Sequence, residues 1–355
     1  MAKKIARYLA STILWSSIGV LGVLVGLDLL SALVDEAQDL SATYRFSDVL
    51  SYLLLTTPSR VYEFIPYATL IGALVGLGRL ATTSELTVVR SAGVSLGHIA
   101  WVALQPAALL AAGGFLIGEY VAPGSEQLAV SERAIARRGE AMVAGRYGTW
   151  NRDGDTFIHA DAVQRGGVMF GVTLLVYEPD SQVLARTLRA ERGTFQGNSW
   201  LLENTLETTF NGQGTATQRY VTYRWETDIT PDLLVLEVVD AATLPTRQLW
   251  PYARYLEGQG MMFADIELAF WRKVFQPLAI GGLVLVAMSF IFGPLREGSM
   301  GGRIFSGVIV GVLFRISQDF FGPMSLLFGL APVLAAIAPI AVCWLAGGYL
   351  LRQRL

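Results

Sequence analysis

The chain has 355 residues, 53% of them hydrophobic and 16% charged, with a formal net charge of −2. A soluble domain carries about 25% charge, so the composition excludes an ordinary soluble enzyme, and the balance supplies no basic field for nucleic acid. A single cysteine, Cys343, excludes an internal disulfide framework, and two distant histidines, His98 and His159, leave little for a histidine metal site.

Charge is placed unevenly. Residues 126–267 hold 32 of the 56 charged side chains, and both flanks are poor in charge. The first apolar run, Tyr8 to Val34, follows Lys3, Lys4 and Arg7 and is too long for a signal-peptide core, so an uncleaved helix is expected. A second run covers Phe64 to Ala81, and a third covers Gly97 to Val121, with Pro123-Gly124 as its expected stop. After the polar middle come Phe270 to Phe292, Ile304 to Phe321 and Ala331 to Leu351. Each is near the ~20 residues that cross ~30 Å of hydrocarbon. The expected layout is residues 1–124 with three spans, a polar β domain over 125–245, connecting amphipathic helices over 246–269, and three more spans over 270–355. The expected fold class is therefore an α+β membrane protein, three spans on each side of an inserted β domain.

Short loops set the orientation. One side carries Lys3, Lys4, Arg7, Arg79, Arg90, Arg296, Arg303, Arg352 and Arg354, against Arg45 and Arg60 on the other. Positive charge marks the cytoplasm. Both termini are then expected inside and the polar domain outside, which in a bacterium is the periplasm.

In that domain Thr156–Val163, Val168–Tyr177, Val183–Glu191, Ser199–Thr209 and Gln218–Thr227 are rich in β-branched and aromatic residues. Turn signals separate them at Gly166-Gly167, Pro179-Asp180, Gly197-Asn198 and Gly212-Gln213. That spacing points to a sandwich or jelly roll. A helix is expected from Thr246, a candidate N-cap, to about Glu257, ended by Gly258 or Gly260. The stretch Phe263–Trp271 is a second amphipathic candidate leading into span four.

Catalytic motifs are missing: the sequence holds no GxxxxGK[ST], GxSxG or HExxH. Asp153 and Asp155 flank a glycine and fit a turn better than a calcium loop. His159 fits a surface or packing position, and Cys343 a small apolar residue. No cofactor and no metal is expected.

The polar residues within or beside the spans are the candidates for binding. Arg315 falls inside span five with Asp319 one turn on; a charge there marks a functional site or a buried pair, and the plain alternative is mutual neutralisation along the helix. Asp28 lies near the outer end of span one, where interfacial solvation accounts for it. Arg60, at the outer end of span two after Pro58, could meet an anionic headgroup, but a solvated anchor is the reading preferred for it. Between spans two and three, Thr82 to Gly93 shows a capping residue, an amphipathic turn or two and a glycine stop, a short helix lying on the membrane. It fits a connector or the foot on which a motor pushes.

Three stretches are specific in combination: LIGALVGLGRLATTSELTVVRSAGVS at Leu70–Ser95, GEYVAP at Gly118–Pro123, and SFIFGPLR at Ser289–Arg296. Together they resemble the LptF/LptG family of lipopolysaccharide-export permeases. SFIFGPLR and FRISQDFFGP at Phe314–Pro323 favour its LptG branch. The resemblance covers essentially the whole chain. It implies the membrane part of an ABC transporter, with an LptF-like permease, two LptB-like ATPases, an LptC-like periplasmic protein and lipopolysaccharide as partners. ATP chemistry then lives in the ATPase, and this chain is a non-catalytic transport subunit with a β-jellyroll in the periplasm. By match to the family motif, the coupling segment is Ser84–Gly93, with Ser84, Glu85, Leu86, Val89, Arg90 and Gly93, and Glu85 faces an ATPase arginine. Spans one and five line the lipid cavity, which makes Arg315, Asp319, Arg60, Asp28 and Arg45 its substrate-facing candidates. One departure stands out: some LptG proteins carry lysines at the outer end of span one, where this chain reads Asp35-Glu36-Ala37-Gln38-Asp39. Two other readings are a lipoprotein-releasing ABC permease, which usually has four spans, and a membrane-anchored scaffold without transport.

Overall fold

A computed structural model describes residues 2–41, 44–138, 149–164, 167–178, 183–211, 214–227, 229–231, 241–258, 263–293 and 299–353. Of the expected features, Gly166, Pro179-Asp180, Gly212-Gln213, Gly260, Pro294–Arg296 and Arg354 lie outside them. The chain forms two compact units: Met1–Arg137 with Pro245–Trp250 and Ala264–Leu355, and Arg138–Leu244 with Pro251–Phe263.

The first unit holds six helices long and apolar enough to cross a membrane. They are α1 (Ala2–Ala37), α2 (Phe46–Thr82), α4 (Leu96–Leu116), α7 (Ala264–Phe292), α8 (Met300–Phe328) and α9 (Pro332–Arg352). Between α2 and α4 lies the short α3 (Glu85–Ser91), and α4 runs through a π turn, Ile117–Val121, into α5 (Ala122–Arg138). The helix α6 (Thr246–Gly258) starts in this unit and ends in the second.

The apolar runs understate the helices. α2 begins at Phe46 rather than near Phe64, and passes through Pro58 and Pro66. Proline in a helix interior leaves the carbonyl four residues back without its donor. For Pro66 that carbonyl is Tyr62, and Gln276 of α7 supplies the missing donor at 3.3 Å. The stop expected at Pro123-Gly124 is not a stop. The π turn precedes Pro123, which then sits in the first turn of α5, where no N–H is required. The stretch Phe263–Trp271 is the first two turns of α7 itself.

The core of this unit is built from α2, α4 and α7, with Leu70, Leu74, Leu77, Val102, Leu283 and Met288 among its buried members. Helix association in lipid relies on close approach of small residues. α1 shows it: Leu9, Ile13 and Ser17 form its narrow buried stripe, and Gly72 and Gly76 of α2 face them so closely that a Cβ at Gly72 would meet the backbone of Ser17. An apolar groove of about 560 Å³ lies between α4, α7 and α9, lined by Leu104, Ala107, Ala111, Phe115 and Trp344.

The second unit is a six-stranded antiparallel sheet whose strand order is the chain order. Its strands are β1 (Thr149–Asp153), β2 (Thr156–Gln164), β3 (Val168–Tyr177), β4 (Leu184–Phe195), β5 (Ser199–Asn211) and β6 (Gly214–Glu226). β1 was not anticipated; the other five overlap the expected runs. Inward residues alternate, with Ile158 opposite Leu174 and Leu174 opposite Leu188, and Trp200 is fully buried with its indole N–H on the Ile229 carbonyl at 2.8 Å. In β3 the alternation slips between Val172 and Met169, in β4 between Ala190 and Gly193, and in β5 between Leu202 and Thr205. Gly171 and Asn204 take positive φ at those slips. Both residue types tolerate the left-handed region, and Asn204 donates to Glu191 of the neighbouring strand at 2.9 Å. The pairing register is unchanged across these slips, so no residue is inserted there; the register shift between β3 and β4 lies at Val176 and Tyr177 instead.

Candidate coupling helix and intramembrane charge sites

The α2–α3 turn is only two residues long. Ser84 occupies the N-cap position of α3 with φ +62° and makes no side-chain cap bond, so the expected capping role is not what it does. It supplies a left-handed turn instead. Gly93 closes α3 at φ +87° with open space around its Cβ position, so conformation and not crowding demands glycine there. The N–H of Gly93 reaches the Arg90 carbonyl at 2.9 Å and that of Val94 the Val89 carbonyl at 3.4 Å, the double bond of a Schellman-type stop.

The residues of α3 divide into an inward and an outward group. Leu86 is buried and Val89 half-buried against the core of the first unit, so they anchor α3. Thr87, Val88 and Arg90 face outward, and Val88 is 65% exposed. Sequence reading missed Thr87 and Val88; a β-branched apolar residue on the free side of a short helix is the signal that could have found them. Glu85 accepts from the Thr83 hydroxyl at 2.8 Å, and Tyr8 of α1 lies against it. Near the same end, Arg303 of α8 is buried to 1% exposure and donates to the Gly78 carbonyl at 2.7 Å. A Cβ at Gly78 would sit 2.7 Å from the Arg303 Cδ, so the glycine makes the room.

The charge candidates fall into separate places. Arg60 of α2 forms an ion pair with Asp28 of α1, which joins two residues 32 positions apart. Its Nε also reaches Thr56 at 3.3 Å. Arg315 of α8 forms an ion pair with Glu63 of α2, and its Nε lies 3.7 Å from Asp319. Arg272 of α7 donates to the Gln318 carbonyl beside them. Neither Glu63 nor Arg272 was anticipated. Arg45 joins neither group; it is exposed at the start of α2, where its backbone N–H donates to Asp48 at 2.8 Å.

The acidic end of α1 is neutralised in part by its own chain. Glu36 is buried, accepts from the Tyr44 hydroxyl at 2.8 Å and from Arg133 Nε at 3.1 Å, and Arg133 stacks on Tyr52 at 4.8 Å. Asp35 remains exposed.

The GEYVAP stretch also acquires a job. Its π turn directs Glu119 inward, where the carboxylate accepts the backbone N–H groups of Thr246 at 2.7 Å and Arg247 at 3.2 Å. The start of α6 is therefore capped by a residue 127 positions away and not by Thr246 itself. Gly118 allows the turn, because a Cβ there would meet the Tyr62 ring at 2.6 Å.

Six apolar helices in a three-plus-three arrangement, an inserted antiparallel β domain and a short helix between spans two and three define a multi-pass membrane protein of permease type. Residues 7–353 match the family described as lipopolysaccharide export system permease LptF/LptG, and the chain belongs to that family. It is 31% identical to the lipopolysaccharide export system permease protein LptG of Escherichia coli K12, over 98% of each chain. It is 30% identical to the protein of the same name from Haemophilus influenzae, over 97% of this chain and 98% of the relative.

Proposed function

We propose that the chain is the LptG-type membrane subunit of an ABC transporter that draws lipopolysaccharide from the inner membrane and passes it to a periplasmic bridge. Both termini then face the cytoplasm and the β domain the periplasm, as the short-loop arginines require. An LptF-like chain completes the bundle, two LptB-like ATPases supply ATP hydrolysis, and an LptC-like protein receives the lipid. The chain itself is non-catalytic and needs no cofactor.

The observation that carries this reading is α3. Leu86 and Val89 tie it to the helical core while Thr87, Val88 and Arg90 stay free for a partner. A motor seated there moves α2 through a two-residue elbow. Glu85 supplies a carboxylate for a charge-assisted contact. Acyl chains occupy the apolar space between this bundle and its partner, since leaving it costs ~0.8 kcal/mol per CH₂ in water. Asp28–Arg60 and the Arg315 group offer the polar contacts for anionic sugars and phosphates.

A pull-down of the tagged chain from its native membrane should recover an LptF-like permease, a P-loop ATPase and lipid A by mass spectrometry. Recovery of the chain alone would remove the transporter reading. In the purified complex, Glu85→Ala should uncouple hydrolysis from lipid release. Unchanged release at an unchanged rate of hydrolysis would take the coupling role away from α3.

A further inference from the structure

The Arg315 group is unusual among the ion pairs of the first unit. Arg315 stands about 22 Å along α8 from Met300 at 1.5 Å per residue, inside the ~30 Å depth of the hydrocarbon. Charges at that depth are normally buried and fully paired. Here Arg315 and Glu63 are each 49% exposed, and Asp319 is 61% exposed. The pairing is also loose. Arg315 gives one N–H edge to Glu63, and its Nε lies too far from Asp319, at 3.7 Å, for a hydrogen bond. Arg272 spends a donor on the Gln318 carbonyl, and among the described residues no carboxylate lies within ion-pair distance of it. Two guanidinium groups from α7 and α8 thus face two carboxylates from α2 and α8, with donors to spare and an open side.

We propose that Arg315 and Arg272 form an exchange site for a phosphate group of the exported lipid, in which Glu63 is the resident competitor that the phosphate displaces. The inference rests on the export reading above and adds the chemistry of one station in it. With Glu63 and Asp319 ionised the four groups sum to zero charge, so a phosphate adds to them only as a carboxylate gives way. The exchange keeps the number of charge-assisted hydrogen bonds roughly constant, because Arg315 passes from one anion to another. A phosphate offers more acceptor oxygens than a carboxylate and suits the planar fork of arginine. A carrier site has to release what it binds. Glu63 sets that balance: it keeps Arg315 paired in the lipid-free state, and it re-forms the pair as the phosphate leaves. Glu63 is therefore a positioning residue that weakens binding by design of its charge.

The test uses the full chain, purified with the subunits that accompany it and placed in nanodiscs. The probes are bisphosphorylated lipid A, the same lipid A with both phosphates removed, phosphatidylglycerol and inorganic phosphate. Glu63→Gln should bind bisphosphorylated lipid A about tenfold more tightly and release it more slowly, the effect of one charge-assisted partner. Arg315→Gln should bind it about tenfold more weakly, and the double variant should match Arg315→Gln alone. Dephosphorylated lipid A should show neither change. If Glu63→Gln does not fold, Asp319→Asn should shift affinity in the same direction by a smaller factor. A merely structural pair predicts the opposite sign, so equal or weaker binding by a folded Glu63→Gln overturns the proposal. Equal tightening toward phosphatidylglycerol, or competition by inorganic phosphate alone, overturns the assignment to a phosphorylated substrate lipid. Silent Arg315 and Glu63 variants in a complex that still binds lipid A remove this site and leave the export reading standing. Absence of lipid A binding by the parent complex removes both.

Discussion

Helices α2 and α8 are equally apolar in their most apolar stretches, yet 72% of that stretch is buried in α2 and 17% in α8. The same split separates α7, at 61%, from α1, at 11%. Hydropathy reports only that a segment suits lipid; it does not say whether lipid, protein or a substrate covers it. α2 and α7 are the interior of the bundle. α1 and α8 pack on the bundle along one side and turn their remaining surface outward, with Asp28, Arg315 and Asp319 on those two outer helices. The regions differ in how they are held, by close-packed apolar surface in one case and by a glycine seam, a buried arginine and ion pairs in the other.

Five substitutions probe that difference. The largest effect should come from Gly72→Val, which drives a side chain into the Ser17 backbone. We expect α1 to lose its seat, at a cost above about 3 kcal/mol, visible as loss of a monodisperse peak in detergent chromatography. Leu283→Ala, in the centre of α7, should cost about 3 kcal/mol, while Leu27→Ala on the 60%-exposed face of α1 should stay within about 0.5 kcal/mol. Thermal unfolding in detergent compares them, and equal shifts would erase the distinction between interior and outer helices. Arg303→Ala removes the hydrogen bond that joins α8 to the Gly78 carbonyl and should cost about 2 kcal/mol. Proteolysis should then cut faster in the first turn of α8. Glu119→Ala should cost about 1 kcal/mol, as for loss of a helix cap, and should speed hydrogen exchange at the Thr246 and Arg247 amides without touching those of α2.

The helices and strands were legible because each carries its signal within a few neighbours. Val168–Tyr177 is the same strand by pattern and by structure, and six apolar runs became six long helices. What the pattern missed depends on distance along the chain. β1 is short and polar and becomes a strand through pairing with β2. The π turn carries no local mark beyond Gly118, whose role exists only because Tyr62 lies against it. Among the charges, Arg315 was conspicuous for lying in an apolar run, and Asp319 followed by helical spacing. Glu63 sits just before the Phe64–Ala81 run, 252 positions away, and no spacing rule links the two. Asp28 and Arg60 were both noticed and each was explained by solvent, because neither sequence neighbourhood reveals the other.

One feature of α2 gathers these results. A helix of 37 residues is about 55 Å long, and along it stand Arg60, paired to α1, Glu63, paired to α8, Tyr62, bonded to α7, and Gly78, held by Arg303. Its foot is the two-residue elbow to α3. On the proposed reading of α3, α2 is in mechanical terms a crank shaft with its handle at α3 and two charged catches mounted three residues apart. A tilt of about 5° about the foot carries the two catches, about 30 Å along the rod, through about 3 Å, the span of a hydrogen bond. The catches on α1 and α8 therefore share one input, so that opening one outer helix and releasing the other are parts of a single stroke.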